Sequence, residues 1–226
     1  MKKLSQILLL IIISSQVFAI AGFGLHLDQS MYSVSETTTS FTEFTSITHH
    51  GFDNGFGIGG YLYIDAIPFI DIDIEGNILI SPYDFSFVQN NVVAIDKENF
   101  GWTAGSGYFT LQKKLFKLSI PLLAKAKLSA GAGINSHASI PMINQDMMEA
   151  VMGAGNLGTG TLDTDKLISY LKDNKVSSTG FHIQTGVQFK LLMLDSFFYY
   201  RQVFADKVIP DAKGFGSLNL RLGIGF

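Results

Sequence analysis

Three histidines, His26, His137 and His182, share the phase of their polar neighbours in two-residue alternations. Imidazole is the side chain best suited to general acid–base work near neutral pH. With Ser129 as nucleophile and Asp28 as orienting carboxylate, His182 would complete a Ser–His–Asp unit able to hydrolyse acyl esters. Such a unit is defined by mutual geometry, and no spacing here brings the three together. Hydrogen bonding within a polar interior is the plainer expectation, so no catalytic residue is assigned. His49 and His50 are adjacent; on a strand they face opposite ways and do not readily chelate one metal. The glycine-rich runs "GFGIGG", "AGAG" and "GAGNLGTG" lack the lysine of a phosphate-binding loop. The chain has no cysteine, which excludes thiol chemistry and disulfide staples. No cofactor or metal site is expected.

The elements that would position these residues are strands. Clean period-two patterns recur, sharpest in "IDIDIEGNILI", where Ile70, Ile72, Ile74, Ile78 and Ile80 oppose Asp71, Asp73, Glu75 and Asn77. "LAKAKLSAGAGIN", "GFHIQTGVQFKL" and the terminal "SLNLRLGIGF" alternate in the same way, while "GYFTLQKKLFKL" loses its phase around Lys113 and Lys114. Eight such segments are counted, each about as long as a tilted membrane strand. Tight links at 66–69, 119–122 and 193–195 alternate with longer connections at about 30–52, 82–101, 138–177 and 207–213. The fold class expected is all-β: an eight-stranded antiparallel up-and-down transmembrane β-barrel, short turns on one side and long loops on the other. The first connection is expected to turn near Glu36–Ser40, and "GFDNG" at 51–55 to mark a bulge. Ten strands remain open if 31–48 fold back into the membrane.

The first nineteen residues combine Lys2 and Lys3, an apolar run Leu8–Ile13, and small residues at Val17 and Ala19. That is the pattern of a secretory signal peptide, so residues 1–19 are expected to be cleaved and 20–226 to form one barrel domain. The chain holds 16 basic and 19 acidic residues, a balance that argues against nucleic acid as a partner. After the signal no apolar run is long enough for a spanning helix, which leaves a soluble sandwich or a membrane barrel.

The charges separate these two. Asp71, Asp73, Glu75, Lys125, Lys127, Lys190 and Arg221 all map to the half of the barrel nearest the short turns. A midplane lysine or arginine facing lipid costs about 2–4 kcal/mol, so these seven are expected to form an inward network that fills the lumen. Phe69, Phe116, Phe197, Phe198, Tyr199, Tyr200 and Phe226 are expected to form an aromatic girdle at the periplasmic interface.

In "LNLRLGIGF" the alternation of Leu218, Leu220, Leu222 and Ile224 ends on Phe226. This resembles the terminal signal of Gram-negative outer-membrane barrels. In plan the chain resembles the small eight-stranded class that includes OmpX, OmpW and the OmpA membrane domain, with no more specific family motif. The resemblance implies residence in the outer membrane among its lipids, and recognition of the last strand by the barrel-assembly machinery and periplasmic chaperones.

The 138–177 connection holds two helical patterns. Met147, Met148, Val151 and Met152 share one face, with Asn144 as cap; Leu167, Ile168 and Leu171 share another, capped by Asp163 or Thr164 with Asn174 near the end. Methionine faces adapt to varied apolar ligands, so the first helix is a candidate lid; packing over the barrel mouth would need the same face. The function expected is a non-enzymatic membrane scaffold or surface-interaction protein with a filled lumen. Alternatives are binding or passage of a small hydrophobic ligand under 138–177, and an outer-leaflet lipid-modifying enzyme.

Overall fold

The computed structural model describes residues 20–226 apart from 68–69, 90–91, 121–123, 153–162 and 226. The expected signal segment, Phe69 and Phe226 therefore lie outside the described residues. Ten strands occur in chain order: β1 (Ile20–Val34), β2 (Thr37–Thr42), β3 (Thr45–His49), β4 (Phe52–Ile67), β5 (Ile70–Gln89), β6 (Val92–Ile120), β7 (Ala124–Ser139), β8 (Val176–Leu191), β9 (Leu194–Phe204) and β10 (Phe215–Gly225). Two helices, α1 (Gln145–Met152) and α2 (Thr164–Asp173), lie between β7 and β8.

Eight strands close the barrel. All pairings are antiparallel, in the circular order β1, β4, β5, β6, β7, β8, β9 and β10, with β10 returning to β1. The other two, β2 and β3, form a hairpin that pairs through β3 with the outer end of β5, from Thr45–Gln89 to His49–Phe85. The described residues thus hold ten strands, but of the span 31–48 only Met31–Val34, the end of β1, belongs to the barrel wall, and residues 37–48 stay out of it. Their hairpin turns at Glu43–Phe44, not at Glu36–Ser40, because the Thr-rich run pairs with Thr45–His49 as a separate β-ribbon. The expected loop at 82–101 is a second departure: β5 and β6 run on through it as a paired ladder. Beta-branched and aromatic residues such as Phe85, Phe87 and Val88 sustain strand structure beyond the span a membrane needs.

Alternation sets the two faces. Along β5, Asp71, Asp73, Glu75 and Asn77 are buried, and Ile70, Ile74, Ile78 and Ile80 are exposed. Phe23, Leu25, Ile58, Ile134, Phe181, Ile183 and Leu222 extend this apolar exposed band around the wall. A water-soluble barrel would reverse the two faces; this outer surface suits hydrocarbon. Bulges keep the phase right. The register slips between Lys114 and Phe116 opposite Ser129 and Leu128, which explains the blurred pattern there. It slips again between Ser30–Gly55 and Ser33–Asp53, within the expected "GFDNG" bulge, where Asn54 takes φ 59°. Eight strands leave little lumen, and at Gly59 a Cβ would lie 1.9 Å from the Gly76 carbonyl oxygen.

Candidate functional site

The inner half of the lumen is filled by charge. Nearest the short turns, the Lys127 ammonium lies 2.8 Å from Asp65 and 3.8 Å from Asp71. Lys114 bridges the same two carboxylates, 3.0 Å from Asp71. Lys190 reaches Asp195 at 3.5 Å and hydrogen-bonds the Tyr63 hydroxyl, while the Gln188 amide donates to both Asp195 oxygens at 2.8 Å.

Deeper in, two arginines share Glu75. Arg221 lies 2.7 Å from Asp73 and 3.5 Å from Glu75. Arg201 lies 2.7 Å from the other Glu75 oxygen and donates to Gln184 Oε1 at 2.8 and 3.0 Å. The Tyr199 hydroxyl donates to Glu75 at 2.6 Å. Aromatic faces shelve both guanidinium groups: Arg201 stands 3.9 Å from the Tyr108 ring centre, and Arg221 4.7 Å from Phe197 and 4.9 Å from Tyr61. Desolvated cations are held this way by ring quadrupoles as well as by carboxylates. Above them, among the described residues, no further arginine or lysine enters, and hydrogen bonds among His, Asn, Ser, Thr and Asp28 take over. His26 meets Asn219 at 2.9 Å, Asp28 accepts from Ser30 and Asn77, and His182 meets Thr110 at 2.8 Å.

Of the seven expected network residues, Asp71, Asp73, Glu75, Lys127, Lys190 and Arg221 make ion pairs. Lys125 differs: it is half-buried at the short-turn rim, and no ion pair involves it among the described residues. Sequence reasoning missed Asp65, Lys114, Asp195 and, above all, the fully buried Arg201. Arg201 ends the run "FFYYR", which reads as an interfacial girdle. Its signal was parity. Arg201 shares a phase with Phe197 and Tyr199, so all three turn inward while Phe198 and Tyr200 are exposed. The expected girdle is corrected accordingly: Phe197 and Tyr199 are buried lumen residues, stacked with centroids 4.5 Å apart, because successive strand residues cannot share a face. Phe116 is exposed on the outer wall as expected.

An apolar plug closes the outer half. Trp102, Phe85, Phe87, Ile47, Ile143, Met147, Met148, Val151, Val203, Ile209 and Phe215 form one buried cluster. Helix α1 starts where Asn144 Oδ1 accepts from the Met147 amide at 2.9 Å, and α2 where Asp163 caps Asp165 and Lys166. Asn174 closes α2. The candidate lid is not free to receive a ligand: Met147, Met148 and Val151 are at most 2 % exposed within the plug, and the Met152 side chain lies outside the described residues. On α2, Leu167, Tyr170 and Leu171 pack on the cluster, whereas Ile168 is exposed. His49 and His50 serve separate partners, the Ile143 carbonyl oxygen and Glu36. Burial holds the His49 pKa below its ordinary value and pushes the Tyr83 phenol up to about 12. A cavity of about 420 Å³ lies beside Trp102, between residues 139–144 and 207–211.

Ser129, His182 and Asp28 are not assembled into a catalytic unit. Asp28 bonds Ser30 and Asn77, His182 bonds Thr110 and contacts Asn135, and the Ser129 backbone carbonyl accepts from Thr185. Among the described residues no cluster of three metal-ligating side chains occurs.

No protein-family model matches the chain, and no curated protein sequence matches it. Solved structures do match in fold. OprG of Pseudomonas aeruginosa, an outer-membrane protein, aligns over 92 % of this chain and 94 % of its own, with 9 % identity and a TM-score of 0.51. Ail of Yersinia pestis, the attachment invasion locus protein, aligns over 92 % and 99 % with 12 % identity and a TM-score of 0.42. Neisserial surface protein A aligns over 92 % and 98 % with 14 % identity and a TM-score of 0.41. The fold is that of the small eight-stranded outer-membrane β-barrels.

Proposed function

We propose that this chain is an outer-membrane scaffold: a closed, non-conducting barrel that anchors an external surface for interaction. The observation that carries this reading is the doubly filled lumen, paired ions in the inner half and the apolar plug around Trp102 in the outer half. Filling of both halves favours a barrel closed to ions. The role is mechanical and needs no chemistry of its own. The exposed apolar band supports residence among outer-membrane lipids, after export through a cleaved segment 1–19. Leu218, Leu220, Leu222, Ile224 and Phe226 are the features that assembly machinery and chaperones would read.

Outside the wall stands the part suited to partners. Strand β2 is the end of the sheet order, and its residues Thr37–Ser40 are exposed. An edge strand carries unpaired backbone groups able to accept an extended segment of another protein. Planar-bilayer recording tests the closed barrel: no sustained nanosiemens conductance is expected, and one would refute it. Deleting residues 37–42 and replacing them with a short glycine–serine link, which leaves Ile47 in the plug, is expected to leave the barrel intact while reducing surface attachment.

A second reading is binding of a small hydrophobic ligand beneath residues 138–177. The supporting observation is the 420 Å³ cavity, lined by Trp102, Ile140, Pro141, Met142, Val176 and Val208. Its size falls in the range of small-molecule sites. Its walls are these residues, with the methionines of α1 serving the plug instead.

A further inference from the structure

The β6–β7 hairpin overhangs the closed ring at the short-turn end. Pairing of β6 with β5 stops at Gln112–Asp71, whereas its pairing with β7 continues to Ile120–Ala124. Residues 113–120 therefore project past the end of β5, and among the described residues nothing pairs with that edge. Between residues 113 and 127 the chain carries five lysines and no carboxylate. The register sets two of them against like charges: Lys117 lies directly opposite Lys127, and Lys125 directly opposite Lys190. Directly opposed like charges destabilise a sheet. Carboxylates of the fold relieve one member of each pair. Lys127 and Lys114 take Asp65 and Asp71, and Lys190 takes Asp195. Lys113 belongs to the other face, opposite Ala130. Lys117 is exposed and Lys125 half-buried, and among the described residues neither makes an ion pair. They are diagonal neighbours on one face of the ribbon, with backbones about 7–8 Å apart, close enough for one anion to meet both ammonium groups.

Their phase is that of the lumen, but the enclosing wall ends here. Lys125 is one residue from the first pair of the hairpin, Ile120–Ala124, and Lys117 stands on the open-edged overhang. A lysine stem carries its charge several ångströms to a polar layer while its backbone stays at apolar depth.

The opposite face of the same ribbon is apolar and grooved. A groove of about 730 Å³ crosses the outer wall there, and Lys125 lies at its margin. Register aligns Leu118, Ala126, Phe189, Ser196 and Leu222 in one outward row, so bulky and small side chains alternate along it. Next to this row the β8–β9 turn is built from hydrocarbon. Leu191, Leu192, Met193 and Leu194 are each more than half exposed, and Leu192 takes φ 55°, where hairpins normally place Asn, Asp or Gly. Four consecutive exposed apolar residues at a turn suit a lipid leaflet better than water. Groove, apolar turn and unpaired lysines together fit an amphiphile with an acyl chain and an anionic head.

We propose that the overhang binds one anionic phospholipid of the periplasmic leaflet, its phosphate held by Lys117 and Lys125 and an acyl chain lying in the groove beside Ala126 and Phe189. The phosphate supplies the counter-charge that the two opposed lysine pairs lack within the fold. This goes beyond the scaffold role and does not depend on it.

The test uses the folded protein in detergent micelles, with heat-modifiable gel migration confirming the fold of each variant. Native mass spectrometry then counts the lipid retained from equal amounts of phosphatidylglycerol and phosphatidylcholine. The wild type is expected to retain one phosphatidylglycerol with about 30-fold preference, the value of two lysines beside an anionic lipid. K117Q/K125Q is expected to bring that preference close to one, while K172Q, on exposed α2, leaves it unchanged. A126F is expected to lower retention of both lipids by narrowing the groove, without changing the preference between them. Retention is expected to survive 10 mM inorganic phosphate, because the acyl chain is held as well. A wild type without preference, or a K117Q/K125Q variant that keeps it, overturns the headgroup site. Displacement by inorganic phosphate, or an A126F variant that retains lipid as the wild type does, overturns the acyl-chain seat.

Discussion

Replacing Arg201 with methionine removes one cation from a fully buried site. Arg201 is fully buried, 2.7 Å from Glu75, and packed 3.9 Å from the Tyr108 ring centre. Methionine keeps much of the volume, so the loss is mainly electrostatic. Glu75 would keep the Tyr199 hydroxyl and Arg221, but Arg221 stands at 3.5 Å and is shared with Asp73. Breaking one side of a buried pair costs about 3–5 kcal/mol, because the surviving charge is left uncompensated. The double variant R201M/E75Q removes both charges together. It is expected to recover most of that loss, giving a coupling energy of about 2 kcal/mol or more, within the range for residues in one network. Urea unfolding in phospholipid vesicles measures this, read by fluorescence of the single tryptophan, Trp102, which lies buried in the plug. A cost for R201M under about 1 kcal/mol, the value of an exposed pair, would refute the reasoning. So would a double variant whose loss is the simple sum of the two single losses.

Met148 is 1 % exposed within the plug, so M148A is expected to destabilise the outer half by about 2–5 kcal/mol through lost contacts and a residual cavity, measured by the same unfolding assay. The His49 pKa is depressed in the folded protein, so below its ordinary value near 6.5 the unfolded chain binds more protons and stability falls with pH until the depressed value is passed. Urea midpoints between pH 7.5 and 5 are expected to fall less steeply in H49Q than in the wild type; equal slopes would discard the linkage. Deleting Phe226 is expected to leave export intact and to reduce membrane insertion, seen by fractionation; unchanged outer-membrane levels would remove the terminal aromatic from the assembly signal.

Barrel class, strand phases and helix caps were legible because each rests on local geometry. A two-residue period assigns faces without knowledge of neighbours, and Asn144 and Asp163 act within a turn of their own helices. The inward placement of Asp73, Glu75 and Arg221 follows from the same parity. Contact across the lumen does not. Which cation meets Glu75 depends on the stagger of strands around the closed wall, and that stagger is adjusted by bulges such as the one at Lys114–Phe116. Arg201, hidden in an aromatic run, reaches Glu75 only through it. The 2.8 Å hydrogen bond between the Ser106 hydroxyl and His137 Nδ1 is likewise a register fact, since the two residues are 31 apart in the chain. The extra hairpin was ambiguous for a related reason: alternation marks a strand, while the partner that holds it, the outer end of β5, is set by how far the barrel strands run past the membrane. Where the alternation is clean, sequence alone determined which way a side chain turns; tertiary structure decided which side chains meet, because parity is covalent and local whereas register is a property of the closed sheet.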